Sequence, residues 1–415
     1  MKKDSNIEII TTGEELLSGT TLDTNFFSIA EKVFTMGLKI RYHQCVGDSK
    51  NDIISALKIA NSRSSFVIIT GGLGPTEDDL TREVASEYFS KELIFIKKEE
   101  EKIKKLFSKR KRKYSSLNKK QAYFPKGSSI INNVNGTASG FTLTKSSTKF
   151  YFFPGVPKEF NSMIKNSFLK DLASVQKKMK LYSFSKTLKI FGAPESEVAE
   201  RINKISRKRT YIGFRPYNYE IHLRLITQSN TLSDAKKETL ATEKKIRKVL
   251  GDLIFTDENI TLAHHVVLIA LEKKVKISIA ESCTGGLLSS MITDVPGSSK
   301  FFEFGAITYS NKAKESILDV KSKSLLTYGA VSKNVVSEMA KNIRNKSNTD
   351  ISVAISGIAG PTGGTKDKPV GTVFIGLSSK KGTRVTKYSL SGNRESIKLR
   401  TCLIALDKLR KELIN

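Results

Sequence analysis

Cysteine and histidine are both scarce in this chain of 415 residues. Cys45, Cys283 and Cys402 are the only cysteines, far apart and odd in number. That argues against a disulfide scaffold or a thiolate zinc site and fits a reducing cytoplasm. His43, His222 and the pair His264-His265 have no zinc-ligand spacing, so any metal is expected on oxygen ligands and therefore to be a hard cation. No apolar run approaches the roughly 18 residues of a membrane span. The start, Met1-Lys2-Lys3-Asp4-Ser5-Asn6, meets Glu8, Glu14 and Glu15 before any long apolar stretch. No signal peptide is therefore expected, and the expected location is cytoplasmic, with no membrane partner. Low-complexity tracts and short-period repeats are missing too. What remains is the composition of a soluble globular protein, too long for one ordinary core, so two or three domains are expected.

Acidic residues are outnumbered, 41 Asp and Glu against 70 Lys and Arg, which leaves a formal net charge of +29. The cations are spread over the whole chain, with one dense cluster at Ser108-Lys109-Arg110-Lys111-Arg112-Lys113 that follows Glu99-Glu100-Glu101. No aromatic residues interleave in that cluster, as they would in a groove for single strands, so it reads as a solvated face. Nucleic acid is not expected as a partner; anionic, phosphorylated small molecules are.

Strand-like and helix-like stretches alternate over residues 1–170: Ile7 to Thr11, Asn25 to Met36, Ile40 to Val46, Asp52 to Ala60 and Phe66 to Thr70. Residues 171–255 change character, with a helix from Glu195 to Ile205, an alternating strand from Glu220 to Thr227 and a long charged helix from Ser233 to Leu250. From about residue 258 the first pattern resumes and runs to a closing helix, Arg394 to Leu413. The pattern predicts an α/β protein: two α/β layer domains, 1–170 and 258–415, with mostly parallel sheets, joined by a small α+β module at 171–255.

In the first domain a buried strand runs straight into Gly71-Gly72-Leu73-Gly74-Pro75-Thr76-Glu77-Asp78-Asp79. Glycines at the end of a parallel strand let the backbone approach a phosphate. Three adjacent carboxylates are poor neighbours unless they cap a helix or hold a cation. Thr12-Gly13-Glu14 ends the first strand and is expected on the same edge. Gly13, Gly71, Gly72, Gly74 and Thr76 are the candidate phosphate-binding residues, and Asp78 and Asp79 the candidate metal ligands. The alternative is that Asp78 or Asp79 only caps the helix starting at Leu80.

In the last domain the apolar run Val275 to Ala280 leads into Glu281-Ser282-Cys283-Thr284-Gly285-Gly286 and a helix start at Leu287. A strand, a tight polar turn and a helix N-terminus place N–H groups beside a hydroxyl that can attack a carbonyl. The plainer reading is a Thr284 N-cap before a glycine turn.

These segments resemble known families. The strand with Gly71 to Thr76 and Asp78-Asp79 resembles the molybdopterin-binding fold, and residues 280–286 resemble the nicotinamide mononucleotide deamidases. In this order, joined by a middle module, they resemble the CinA family over essentially the whole chain. Supporting motifs are Gly305-Ala306-Ile307-Thr308-Tyr309-Ser310-Asn311 with Lys314, Gly329-Ala330-Val331-Ser332, Ser356 to Gly364, and Lys368-Pro369-Val370-Gly371-Thr372-Val373. Two departures are Asp23, where the family usually has Asn, and the atypical stretch Gly213 to Tyr219. The resemblance implies a nicotinamide-nucleotide amidase that makes nicotinate mononucleotide and ammonia with Ser282 as nucleophile and no cofactor. It also implies a divalent-metal-dependent ADP-ribose pyrophosphatase in the first domain, and a homodimer.

No histidine lies in the last domain's motifs, which disfavours Ser-His-Asp chemistry. Lys314, one turn into a helix after Tyr309-Ser310, can point back towards Ser282 and serve as its base, with Tyr309 as relay or orienting group. The loop Gly357 to Gly364, with Gly357, Gly360 and Gly363, is a candidate phosphate cradle. Arg394 and Arg400 are candidate phosphate partners, equally readable as structural. Thr284 and Gly285 complete the candidate substrate-binding set, and Glu281 either orients substrate hydroxyls or holds the turn. A thiol mechanism at Cys283 lacks the histidine that usually lowers such a pKa. The competing functional readings are a non-catalytic competence- or damage-linked binding factor, and pterin or nucleotide binding without hydrolysis.

Overall fold

Every residue of the first strand, Ile7–Thr12 (β1), is buried. That is the pattern of a strand covered on both faces in a parallel sheet. Glu8 is among them. Its carboxylate is compensated by Arg63, by the Ser64 hydroxyl at 2.8 Å and by the Gln44 amide at 2.7 Å, as a buried charge requires. The computed structural model describes residues 6–415, and the charged start Met1–Ser5 lies outside them.

β1 pairs in parallel with β2 (Ile40–Val46) and β3 (Phe66–Thr70). A small antiparallel pair follows, β4 (Leu93–Phe95) with β5 (Tyr123–Pro125). The main sheet is completed by β6 (Ser129–Ile131), β7 (Gly140–Lys145) and β8 (Thr148–Phe153), giving the order β2-β1-β3-β8-β7-β6. Apolar clusters fill both faces, one around Leu57, Val84 and Phe150, the other around Ile29, Phe153 and Phe160. Because β2 lies on one side of β1 and β3 on the other, the crevice between the ends of β1 and β3 is a topological switch point, where ligands bind in open α/β sheets.

The middle module is a four-stranded sheet in the order β10-β11-β9-β12, made of β9 (Tyr182–Ile190), β10 (Thr210–Tyr217), β11 (Glu220–Ser229) and β12 (Ile254–Thr256). Helices Glu195–Asn203 and Leu232–Leu250 pack Val198, Ile202, Ile246 and Leu250 against Leu188, Leu223 and Leu225.

The last sheet has the order β14-β13-β15-β16-β17, from β13 (Ile277–Glu281), β14 (Phe302–Ile307), β15 (Ile351–Gly357), β16 (Thr372–Ser379) and β17 (Gly382–Ser389). β13 is parallel to both β14 and β15, while β16 and β17 add an antiparallel edge. Helices Leu262–Lys273 and Arg394–Ile414 cover one face and Lys333–Ser347 the other. β13 again has a neighbour on each side, so its end at Glu281 is a second switch point.

The chain divides into two compact units, residues 1–185 with 226–240 and residues 186–225 with 241–415, so the middle module's chain is shared between them. β14 ends at Ile307, and Ser310 beyond it caps the next helix through the Ala313 N–H at 3.0 Å. Among the described residues no helix is long and apolar enough to cross a membrane.

Candidate functional site

At the end of β13 the chain must leave the sheet and start a helix within a few residues. Gly285 and Gly286 allow this by taking φ of +63° and +93°. Glu281, fully buried, turns its carboxylate onto the helix Leu287–Thr293. It accepts from the N–H groups of Gly286 (3.1 Å), Leu288 (3.1 Å) and Ser289 (2.8 Å), and from the Ser289 hydroxyl at 2.7 Å. Of the two roles read for Glu281, the structure places it in the turn-holding one.

Ser282 is tied to the sheet by its N–H, which donates to the Ile355 carbonyl at 3.0 Å. Lys314 sits in the first turn of the helix Asn311–Leu318 and is 1% exposed. Its Nζ lies 3.1 Å from Ser282 Oγ, 2.8 Å from the Thr308 carbonyl and 3.3 Å from the Tyr309 carbonyl. Burial pushes the Lys314 pKa below its ordinary value, and among the described residues no carboxylate pairs with it. Cys283 is also buried, and desolvation pushes its thiol up to about 12.

Tyr309 touches the amine through its carbonyl, not its hydroxyl. The hydroxyl accepts from Arg394 Nη2 at 3.2 Å, and Arg394 Nη1 donates to the Gly360 carbonyl at 2.7 Å. Arg394 therefore links Tyr309 to the loop after β15. Gly360 and Gly363 lie in that loop with φ of +77° and +88°. Gly357 still belongs to β15, where a Cβ would meet the Thr372 carbonyl at 2.9 Å, so its glycine is required by packing. Arg400 donates to the Ser391 carbonyl and lies over the Tyr219 ring, with no contact to the Ser282–Lys314 pair. Thr284 is fully buried, and among the described residues its hydroxyl has no protein partner.

Two features escaped the sequence reading. The backbone carbonyls of Thr308 and Tyr309 hold the lysine, and side-chain chemistry gives no sign of them. Lys398 Nζ comes within 3.8 Å of where a Gly285 Cβ would stand. Its spacing of four from Arg394 on one helix was a usable signal.

In the first domain a cavity of about 480 Å³ opens at the switch point, walled by Thr12, Gly13, Gly71, Gly72 and Gly74. Glu15, Asp48, Asp78, Asp79 and Glu159 also line it. The capping alternative is overturned, since the helix begins at Thr81 and Leu80 at its N-cap makes no side-chain bond. Asp79 instead folds back on its own loop, accepting from the Gly74 N–H (2.7 Å), the Thr76 N–H (2.9 Å) and the Thr76 hydroxyl (2.5 Å). Thr76 is thus a brace and does not line the cavity. Behind the loop, buried Arg82 donates to the Leu73 carbonyl at 2.7 Å, and burial pushes its guanidinium down to about 10. The Asp48 pKa is raised by burial and by the nearby charges of Glu15, Asp78 and Glu14. Among the described residues no three side chains converge as a ready-made metal cluster.

Asp23 caps the helix Thr24–Thr35 through the Phe26 N–H at 2.8 Å and pairs with His43 at 3.1 Å. Burial acts to raise its pKa, but the bonds from His43 and Phe26 outweigh it and hold the carboxyl low.

Comparison with known families matches residues 8–174 to the "Probable molybdopterin binding domain", 185–256 to the "Damage-inducible protein CinA KH domain" and 259–413 to the "CinA C-terminal domain". The chain is 40% identical over 410 residues to a competence-damage inducible protein of Caldicellulosiruptor saccharolyticus, covering 98% of this chain and 99% of that one. It is also 40% identical over 409 residues to its Clostridium beijerinckii counterpart, covering 98% and 99%. The crystal structure of a competence/damage inducible protein from Agrobacterium tumefaciens is similar at 35% identity. The match covers 37% of this chain and 94% of that one, with a TM-score of 0.36.

Proposed function

The chain belongs to the CinA family, and from that premise we propose that its C-terminal domain is a nicotinamide-nucleotide amidase. The substrate is nicotinamide mononucleotide and the products are nicotinate mononucleotide and ammonia. The observation that carries this reading is the buried Lys314 amine 3.1 Å from Ser282 Oγ. In the neutral amine, two N–H bonds point to the Thr308 and Tyr309 carbonyls, which leaves the lone pair for the serine hydroxyl.

Ser282 Oγ attacks the carboxamide carbon as its proton passes to Lys314 Nζ. The Cys283 and Thr284 N–H groups, in the turn, are the candidates to receive the oxyanion. Collapse breaks the C–N bond, and the lysine returns the proton to the leaving nitrogen, releasing ammonia. Water, deprotonated by the same amine, then cleaves the Ser282 ester to give the carboxylate and restore the hydroxyl. Arg394, Lys398 and the Gly360–Gly363 loop are the groups for the ribose phosphate. Ammonia release from nicotinamide mononucleotide by the purified chain tests the reading. Ser282→Ala and Lys314→Ala are each expected to lower turnover about a thousandfold or more. A chain that releases no ammonia, or a Ser282→Ala variant at full rate, refutes it.

A second reading is favoured by the acid-lined cavity at the first switch point. We propose that it hydrolyses a nucleoside diphosphate sugar such as ADP-ribose with a divalent cation. Burial, and with it the nearby charges of Glu15, Asp78 and Glu14, raises Asp48, and that clustered charge is what a cation would neutralise. Asp48 and Asp78 are the residues to hold it, while Asp79 shapes the loop. Asp78→Ala is expected to abolish metal-stimulated cleavage of ADP-ribose, and unchanged cleavage would remove Asp78 from the assignment. Assembly as a homodimer is likewise proposed, with light scattering as its check: a stable monomer at micromolar concentration refutes it.

A further inference from the structure

Both proposed activities leave one cavity of the first domain unused. It has a volume of about 310 Å³, within the range of small-molecule sites, and lies between the helix Lys97–Lys109 and the loop of residues 132–137. Lys102, Ile103, Lys105, Leu106 and Lys109 line it from the helix, where spacings of three and four residues put them on one face. Val134, 69% exposed, lines it from the loop. The walls are braced from within. Asn133 Oδ1 accepts from the N–H groups of Asn135 (3.0 Å) and Gly136 (2.9 Å), and Arg110 Nη2 donates to the Asn135 carbonyl at 2.9 Å. On the helix side, buried Glu99 accepts from the Ser139 hydroxyl at 2.6 Å and from Lys102 at 3.3 Å.

Its charge is the reverse of the acidic cavity's. Among the described residues no carboxylate lines it. Lys102 and Lys104 of the same helix are paired with Glu99 and Glu100, whereas exposed Lys105 and Lys109 have no ion pair among the described residues. The partition between the two cavities is thin. Thr137 lines both. Asn133, on the basic side, donates at 2.7 Å to Glu159 Oε2, on the acidic side. A Cβ at Gly136 would collide with that same carboxylate, so the approach requires glycine.

We propose that the basic cavity holds the nucleoside half of the pyrophosphatase substrate, and that this half carries a further phosphate on its ribose. The inference rests on the pyrophosphatase reading for the acidic cavity next door. There a diphosphate spends its charge on the divalent cation that the carboxylates hold. Lys105 and Lys109, beyond the partition, are left for a second anion that the diphosphate cannot supply at the same time. Ile103, Leu106 and Val134 offer apolar area to a base, and the two lysine ammoniums offer charge to a phosphate beside it. The substrate class is then a nucleoside diphosphate sugar phosphorylated on the nucleoside ribose, such as ADP-ribose 2′-phosphate. Water adds across its P–O–P bond, and the products are ribose 5-phosphate and adenosine 2′,5′-bisphosphate.

Release of ribose 5-phosphate from ADP-ribose and from its 2′- and 3′-phosphates is measured with the full-length chain and magnesium. One phosphorylated substrate is expected to be favoured about tenfold or more in kcat/KM, the worth of one charge-assisted hydrogen bond. Lys105→Ala/Lys109→Ala is expected to erase that preference. Arg112→Ala/Lys113→Ala removes as much charge from exposed positions outside the cavity and is expected to keep it. Equal cleavage of all three substrates by the parent overturns the inference and leaves the pyrophosphatase reading standing. Cleavage of none overturns that reading, and the cavity is then judged by binding alone. Calorimetry without metal compares adenosine 2′,5′-bisphosphate and 3′,5′-bisphosphate with adenosine 5′-monophosphate. One bisphosphate is expected to bind about tenfold or more tightly than the monophosphate, and the Lys105/Lys109 pair of substitutions to remove the difference. Bisphosphates that bind no more tightly overturn the proposal. So does an equal loss in the Arg112/Lys113 variant, which would mean bulk charge.

Discussion

Lys314 has two opposed effects. An amine with a depressed pKa resists the proton that the unfolded chain accepts at the ordinary value of 10.5. The cost to stability is therefore full below the folded pKa, shrinks as pH rises through the window between the two values, and is gone above the upper one. Activity follows the free amine, so turnover should climb with pH through the same depressed pKa. Lys314→Met, apolar and similar in length, should lose about a thousandfold or more in turnover while keeping or raising the melting temperature at neutral pH. A variant that melts well below the parent would contradict this account of the lysine's burial. Cys283 makes the opposite case. With its thiol near 12, almost no thiolate exists at neutral pH, so Cys283→Ala should keep most of the activity and alkylating reagents should inhibit slowly.

At the scale of elements, the two site turns are built by the same device, in which a carboxylate from the segment holds the segment's own N–H groups. Asp79 holds Gly74 and Thr76, and Glu281 holds Gly286, Leu288 and Ser289. Asp79→Ala should loosen the glycine loop, lowering stability by about 1–3 kcal/mol, measured by thermal unfolding. An unchanged melting temperature would mean the brace is idle. These braces mark the limit of what the sequence showed. Phe66–Thr70 was legible as an unbroken apolar run, the mark of a buried parallel strand, and Ile40–Val46 by its alternation, and both fall where those patterns put them. Ser282, Lys314 and the glycine loops were legible from residue type and spacing. The direction of a side chain was not: Asp79 looked like a ligand or a cap, Arg400 like a phosphate partner or a structural contact, and Tyr309 like a relay or an orienting group. Only the fold decides whether such groups face a ligand or their own backbone.

For the whole molecule, the net charge of +29 acts at a distance on any anionic solute, the proposed nucleotide substrate included. Raising the salt from low to physiological strength should increase the KM for nicotinamide mononucleotide and leave kcat nearly constant, because screening weakens capture and not the buried chemistry. A kcat that fell in step with rising KM would contradict this. The first cavity is the exception to that field, since Glu15, Asp48, Asp78, Asp79 and Glu159 line it.

One consequence of Glu281 remains. A helix beginning beside a reactive serine would ordinarily be a seat for anions, yet here the protein has filled that seat from within. Nothing negative can be docked by those N–H groups. On the proposed amidase reaction, the substrate would present its uncharged amide to the serine, since this helix start offers its phosphate no seat. The acid that this proposed reaction would form finds the same seat already taken, which favours its departure over its return.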